Sequence, residues 1–541
     1  MTNYGSSILV AIAVLPLGLG AVGIGCAQIL AVDSLYVVAS DAGKSVGIPG
    51  KPAGDGASDA GCLPGTDRAT LENACTNAMC VPFDNHRVTQ CTDDDGRLTC
   101  PVVPPSDAGI PAPLALEGGA FDAGSDAGVL PPCSKLPELN GFTFPQPYVY
   151  GSGSSALSLY VGKLAQAFAN QGEGTILYQI AGSCYGAYTT VLSDSYPLGA
   201  VPATTGPATA TYFDPFQSDV NGVPLQYTCA IDEPTRTADF GVSDVFPATC
   251  LPQLMQTGGL PNNLYDFFGP VQTMVLAVPV GSSQTSISAD AAYMVWGFGN
   301  GSGVSPWTDE AYLLQRSGSS GTQSMMSATL SLDPFSWHGV THSSNQTVLA
   351  DMLAAASSPD KSAQEGTMGI LGADFVEDNR AQIRVLAFQD RSQTCGYYPD
   401  STATAHDKQN VRDGHYPVWG PSHFIAPVDA NGQPINVTVG KFIDALSGTT
   451  TIAGLDLLQT YQERHIIPLC AMHVTRSSDG QDYQPYAPPN SCSCYYDFLT
   501  SGQADCVACQ NAGGCTNAPN GATSCNVFGN PPVGYCEPPG D

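Results

Sequence analysis

LLQRSGSSGTQSMM, residues Leu313 to Met326, runs from an apolar pair to one arginine, through six residues that are only serine, glycine or threonine, and into a stretch that can be helical. Arg316 is the only Lys or Arg between Arg236 and Lys361. The first turn of a helix has unpaired backbone N–H groups and a partial positive charge. Small residues there let an anion approach the backbone, and Ser or Thr hydroxyls donate to it. A lone cation before such a turn suits an oxyanion. Two more stretches repeat the plan of strand, Gly/Ser turn and helix: YGSGSSALSLYVGKLAQAF from Tyr150 and YQIAGSCYGAY from Tyr178. Each alone also reads as an ordinary N-capped helix.

Around these turns the text alternates. GTILYQIAG, ADFGVSDVF, TMVLAVPV, IRVLAFQD and HIIPLCAMHV read as strands, several apolar on both faces, and SALSLYVGKLAQAFANQ carries apolar residues at helical spacing. Buried strands alternating with helices predict an α/β domain over residues 145–485, long enough for two lobes with a cleft between them.

The flanks differ. Residues 27–140 are rich in Ala, Gly, Asp and Pro, and SDAG recurs at Ser40, Ser58, Ser106 and Ser125, with FDAG at Phe121, which reads as a low-complexity tether. Inside it, Cys62, Cys75, Cys80, Cys91, Cys100 and Cys133 predict a small module closed by three internal bridges. Residues 486–541 hold seven cysteines and predict a second disulfide-rich module. The α/β domain has five: Cys184, Cys229, Cys250, Cys395 and Cys470. Five cannot close among themselves, so an odd number of bridges leaves that domain, and Cys470, 22 residues before Cys492, is the expected donor to the tail.

The chain has 541 residues, 43% of them apolar, and its 18 Lys and Arg face 48 Asp and Glu, a formal charge of −30. That charge argues against nucleic acid and anionic membrane surfaces as partners. Nineteen cysteines point to an oxidising, extracytoplasmic compartment. The apolar stretch Ser7 to Gly25, ending at Cys26, resembles a bacterial lipoprotein signal over residues 1–26, which implies cleavage before Cys26 and lipidation of its thiol. Lys44 is the first basic residue and Gly23 stands where such signals usually have Leu, so ordinary secretion and an uncleaved anchor remain alternative readings. Ala27, in a lipoprotein of this type, implies outer-membrane rather than inner-membrane sorting.

The order of turns in residues 145–480 resembles the phosphate-binding solute receptors of ABC importers, members of the type 2 periplasmic binding protein fold. That family's G-x-G-[SA]-[ST], Y-x-x-x-G-S, D-F-G-x-S-D and R-x-x-x-S-G-T motifs stand here at Gly151–Ser155, Tyr178–Ser183, Asp239–Asp244 and Arg316–Thr322. YMVWGFG, WTDEAYLLQRS and YPVWGPSHF extend the likeness. The resemblance implies a ligand set of Ser154, Ser155, Ser183, Asp244, Arg316, Ser319, Ser320, Gly321 and Thr322. In it Ser155, Ser183, Ser320 and Thr322 donate hydroxyls, Gly321 a backbone N–H, and Arg316 a two-pronged charged bond. Asp244 would accept a hydrogen bond from a protonated ligand oxygen, favouring hydrogen phosphate over fully ionised sulfate. Gly318 stands where the family usually has an acidic residue.

The expected function is therefore a lipid-anchored, cell-envelope receptor in the periplasm or at the outer membrane. It would capture phosphate or a related oxyanion for an ABC importer permease, with no cofactor, metal or enzymatic activity. A surface or interaction protein that has lost the ligand is the alternative. A phosphatase lacks both a metal cluster and a nucleophile in the sequence. No G-x-S-x-G elbow occurs, which disfavours a serine hydrolase. His338 and His342 lack the glutamate of a zinc-protease motif, and CVAC at Cys506 and Cys509 reads as disulfide-bonded rather than zinc-bound.

Overall fold

The computed structural model describes residues 65–91, 100–106 and 130–538, apart from 202–207, 221, 234, 503–505, 517, 519–521 and 530–531. The signal-like segment, Cys26, Cys62, and the repeats at Ser40, Ser58, Phe121 and Ser125 lie outside the described residues. Among the described residues no helix is long and apolar enough to cross a membrane.

The α/β expectation holds. An 11-stranded mixed sheet runs in the order Pro224–Ala230, Thr209–Ser218, Thr175–Ile180, Tyr148–Gly153, Phe240–Ser243, Trp419–Pro427, Leu264–Pro279, Met368–Gly372, Leu313–Arg316, Val340–His342, with Ile383–Val385 also paired to Leu264–Pro279. The strands that feed the first two Gly/Ser turns are parallel neighbours, Tyr148 pairing with Thr175, and the strand that leads to Asp244 lies parallel on the other side, Gly151 pairing with Phe240. Their apolar runs are buried because helices such as Ser158–Asn170 and Ser183–Val191 cover them.

Two lobes are joined through one strand. Leu264 to Thr273 pairs with Trp419–Pro427, whereas Met274 to Ala277 pairs with Met368–Gly372 and Ala277 to Pro279 with Ile383–Val385. The handover falls between Thr273 and Met274. On one side Val149, Leu164, Phe168, Phe424 and Phe442 pack into a core. On the other, Met274, Leu276, Trp296, Leu314 and Ile370 do so.

Two strand expectations need correction. IRVLAFQD breaks at Leu386 into Ile383–Val385 and Ala387–Gln389, whose second piece pairs with Ser286–Ser288 instead of the main sheet. HIIPLCAMHV is not a strand. Ile467 makes one bridge to Val271, Pro468 has no N–H to continue a ladder, and a 3-10 turn follows at Leu469–Ala471. Sequence alone could not separate this short apolar run from a buried strand.

The N-terminal cysteines do not form a self-contained knot. Among the described pairs Cys91–Cys100 closes locally, whereas Cys80 bridges to Cys395 and Cys133 to Cys229, both inside the α/β domain. Residues 65–91 pack along that domain. Val81 and Gly396 exchange N–H bonds of 2.9 and 3.1 Å, and Gln389 accepts the Phe83 N–H at 2.9 Å. The fully buried Glu72 is held by Arg68 at 2.7 Å and the Tyr483 hydroxyl at 3.0 Å. Ser106, in one of the SDAG repeats, donates its hydroxyl to Asp333 at 2.8 Å.

The expected staple is present: Cys470 pairs with Cys492, and the remaining tail thiols pair as Cys494–Cys506, Cys509–Cys525 and Cys515–Cys536. The sulfurs of Cys509, Cys515 and Cys536 lie within 4.8 Å of one another, yet all three are disulfide-bonded.

Mass spectrometry of a non-reduced digest is expected to yield linked peptides for Cys80–Cys395 and Cys470–Cys492. Recovery of either Cys470 or Cys80 as an alkylatable thiol would contradict the assigned pairing. Replacing Cys80 and Cys395 together by Ser is expected to cost roughly 2–5 kcal/mol in denaturant unfolding, because the unfolded chain is freed of a long closed loop.

Candidate functional site

The site grows from Asp244, which follows the strand Phe240–Ser243 and is 1% exposed. Ser154 Oγ donates to its Oδ1 at 2.7 Å, and Ser183 Oγ donates to its Oδ2 at 2.8 Å. One carboxylate thus joins the first two turns. Ser154 is itself fixed on three sides: its N–H donates to Val242 O at 2.9 Å, its carbonyl accepts from Tyr178 Oη at 2.7 Å, and its Oγ accepts the Leu157 N–H at 3.1 Å.

The third turn packs onto this pair. Ser319 O accepts the Cys184 N–H at 3.2 Å, linking the helix starting at Ser183 to the turn before the helix Gly321–Leu330. A β-carbon on Gly321 would stand 2.2 Å from Ser183 Oγ and 2.9 Å from Asp244 Oδ2, so only glycine lets this backbone reach the cluster. Neither Gly182 nor Ser320, the residues that cap these two helices, makes a side-chain capping bond. Two helix N-termini therefore meet at the Asp244 carboxylate. Their dipoles favour negative charge there.

Arg316 ends the strand Leu313–Arg316 and is 1% exposed, which removes the reading of a surface ion pair. Its guanidinium donates to Asn345 Oδ1 and to Ser343 O, the latter at 3.3 Å. Arg316 also acts electrostatically on Asp244. Burial pushes the Asp244 carboxyl above its usual value, opposed by the Ser154 and Ser183 hydroxyls and by the positive fields of His423 and Arg316.

Of the sequence-predicted residues, Ser154 and Ser183 bond to Asp244 and Gly321 packs against Ser183 and Asp244, while Ser319 reaches the group through its carbonyl on the Cys184 N–H. Ser320 and Thr322 are buried at the start of the third helix, and Ser155 is half-buried in the first turn. Gly318 has a steric cause. A β-carbon there would lie 2.3 Å from the Phe335 ring, so an acidic side chain has no room while that ring stays in place.

The structure adds residues that the motifs did not reveal. Asp374, in the first turn of the helix Ala373–Asp378, lines a small cavity with Ala156 and Gln272. Burial pushes its carboxyl up to about 7, with the charge of Asp244 adding to the effect. His423 is buried beside Asp266, which its Nδ1 meets at 2.8 Å. The only sequence trace of Asp374 is an acidic residue opening a helix after the buried strand Met368–Gly372. His338 and His342 share no helix: they meet Glu310 at 3.2 Å and Asp351 at 3.5 Å, respectively.

A carboxyl raised by burial binds protons more readily folded than unfolded. Its ionised form therefore costs stability, and the cost grows as pH rises from the unfolded value toward the folded one. Asp244→Asn is expected to raise the melting temperature at pH 7, with the gain shrinking as pH falls below the ordinary carboxyl value of 3.8. Equal melting temperatures at pH 7 would show that the site is not under this electrostatic load.

No protein-family model matches the chain, and no curated protein matches it. Solved structures do. An ABC-type phosphate transport receptor from Vibrio cholerae is similar at 13% identity over 60% of this chain and 100% of that one, with a TM-score of 0.36. A phosphate-binding protein from Stenotrophomonas maltophilia is similar at 14% identity over 66% and 99%, with a TM-score of 0.33. A high-affinity periplasmic phosphate-binding protein bound with phosphate is similar at 14% identity over 60% and 91%, with a TM-score of 0.37.

Proposed function

We propose that this chain is an extracytoplasmic solute-binding protein, lipid-anchored through Cys26, that captures phosphate or a related oxyanion between its lobes for an ABC importer permease. The observation that carries the reading is the Asp244 carboxylate, buried where three Gly/Ser turns converge and bonded to the hydroxyls of Ser154 and Ser183. A lone buried carboxylate amid donors gains little by itself. Beside a ligand that keeps a proton, it accepts that proton's hydrogen bond while the hydroxyls and helix N-termini turn to the ligand's charged oxygens.

In this reading Ser154, Ser155, Ser183, Ser319, Ser320 and Thr322 supply hydroxyls, Gly321 supplies its N–H, and Arg316 supplies the charge. The sheet carries Arg316 on one lobe and Asp244 on the other, so a ligand held by both closes the cleft. Eight disulfides among the described residues suit an oxidising compartment. The formal charge of −30 does not oppose anion capture, because surface carboxylates are screened over about 8 Å at physiological salt while donors in a closed cleft are not.

Isothermal titration of the purified protein with phosphate, sulfate and arsenate tests the proposal. Phosphate is expected to bind, and Arg316→Met to weaken it by roughly 2–5 kcal/mol, the usual cost of removing one partner of a buried charge pair. Asp244→Asn is expected to narrow the preference for phosphate over sulfate, since an amide can donate to a fully ionised oxygen. Absence of heat with all three anions would leave a surface or interaction protein built on a binding fold.

A further inference from the structure

The tail module carries a second polar constellation, built on residues other than those of the Asp244 cluster. Ser493 opens the helix Ser493–Ser501, between Cys492 and Cys494, whose disulfides to Cys470 and Cys506 hold it on both sides. Its Oγ lies 2.9 Å from His473 Nε2, and His473 Nδ1 lies 2.6 Å from Asp413 Oδ1. Asp413 can only accept, so Nδ1 carries a proton, and in the neutral ring Nε2 is the acceptor of the serine hydrogen. Arg412 donates to the same Ser493 Oγ, occupying a lone pair and leaving the hydroxyl hydrogen for His473. Arg412 is itself bound to Asp497 and to Ala471 O.

The serine faces space. A cavity of about 230 Å³ is lined by His473, Ser491, Ser493 and Glu537 with the apolar Pro488 and Val507. Beside the serine two donors hold the two oxygens of one carboxylate: the Cys494 N–H meets Glu537 Oε1 and the Ser491 hydroxyl meets Glu537 Oε2, each at 2.8 Å. The N–H of the residue after the nucleophile is the donor that stabilises the oxyanion in α/β-hydrolases. Glu537, on the last strand Val533–Glu537, fills that position as an acid product would.

We propose that Ser493, His473 and Asp413 form a nucleophile, general base and orienting carboxylate for hydrolysis of short acyl esters, with Glu537 as a built-in occupant of the oxyanion position. Ser493 Oγ adds to the ester carbonyl carbon while its proton passes to His473 Nε2. The ester C–O bond then breaks, and that proton goes to the departing alkoxide. Water, giving its proton to the same nitrogen, attacks the acyl-serine, and the proton returns to Ser493 as the acid leaves. The oxyanion takes the Cys494 and Ser491 donors when the Glu537 side chain swings aside. The order of residues, Asp413, His473, Ser493, is no objection, since such triads are defined by geometry and not by sequence position.

The experiment uses the full chain with its disulfides intact and a fluorophosphonate probe, with the adduct mapped by peptide mass spectrometry. The expected result is an adduct on Ser493 that forms on the folded protein at least about 100-fold faster than on the reduced, unfolded chain, the scale of general-base assistance. Glu537→Gln is expected to speed the labelling severalfold by loosening the occupant. No Ser493 adduct on the folded wild-type protein and none on Glu537→Gln would overturn the proposal, as would equal rates on folded and unfolded chains.

Discussion

The Asp244 carboxylate is the constraint around which the α/β domain is arranged. Burying an acceptor of this kind costs free energy unless donors meet it, and here two serines from separate turns do so. Each donor constrains its own element: Ser154 fixes the turn after Tyr148–Gly153, and Ser183 fixes the start of the next helix. The strand order supports the same point, since Tyr148–Gly153 lies between Thr175–Ile180 and Phe240–Ser243, bringing their ends together. A covalent link lies behind this arrangement. Cys184, next to Ser183, is bridged to Cys250, six positions after Asp244, so donor and acceptor cannot drift apart independently.

Much of this was legible in the sequence, for a physical reason. Small polar residues after a buried apolar strand are costly unless a backbone or an anion must come close, so GSGSS, AGSCYG and RSGSSGT stand out even at low overall similarity. The α/β class was legible for the same reason, since runs such as TILYQI are apolar on both faces. What stayed hidden depends on contacts between distant residues. Gly318 could be recognised as a departure, but its cause is the Phe335 ring, which only the fold places there. Asp374 looks like an ordinary helix-opening acid until the fold sets it within the field of Asp244. The cross-links illustrate the limit most clearly. Parity required bridges out of the α/β domain and proximity singled out Cys470, yet nothing local in the N-terminal cysteines pointed to Cys395 or Cys229.

The flanking segments belong to the domain's architecture. Arg476, beyond the last strand of the main sheet, stacks 4.1 Å from the Trp419 ring and 5.0 Å from Tyr483, while Arg68 from the N-terminal segment lies 5.8 Å from the same tyrosine. The N-terminal segment and the end of the α/β domain therefore meet on one aromatic pair beside the strand that both lobes share. The Ser493 constellation depends on this docking, because Asp413 and His473 come from the α/β domain and its edge whereas Ser493 comes from the tail. The sequence holds no G-x-S-x-G elbow to mark this serine. The geometry arises instead where two regions are stapled together.

The bridge between Cys80 and Cys395 spans 315 residues. During synthesis Cys80 emerges long before its partner, with Cys75 and Cys91 near at hand. A thiol that waits this long among closer competitors forms transient wrong pairs, so reaching the native set depends on disulfide shuffling after the sheet has assembled. Biogenesis of this protein thus requires an isomerase as well as an oxidant in its folding compartment, and a cell that supplies only oxidation would accumulate chains cross-linked between neighbours in sequence.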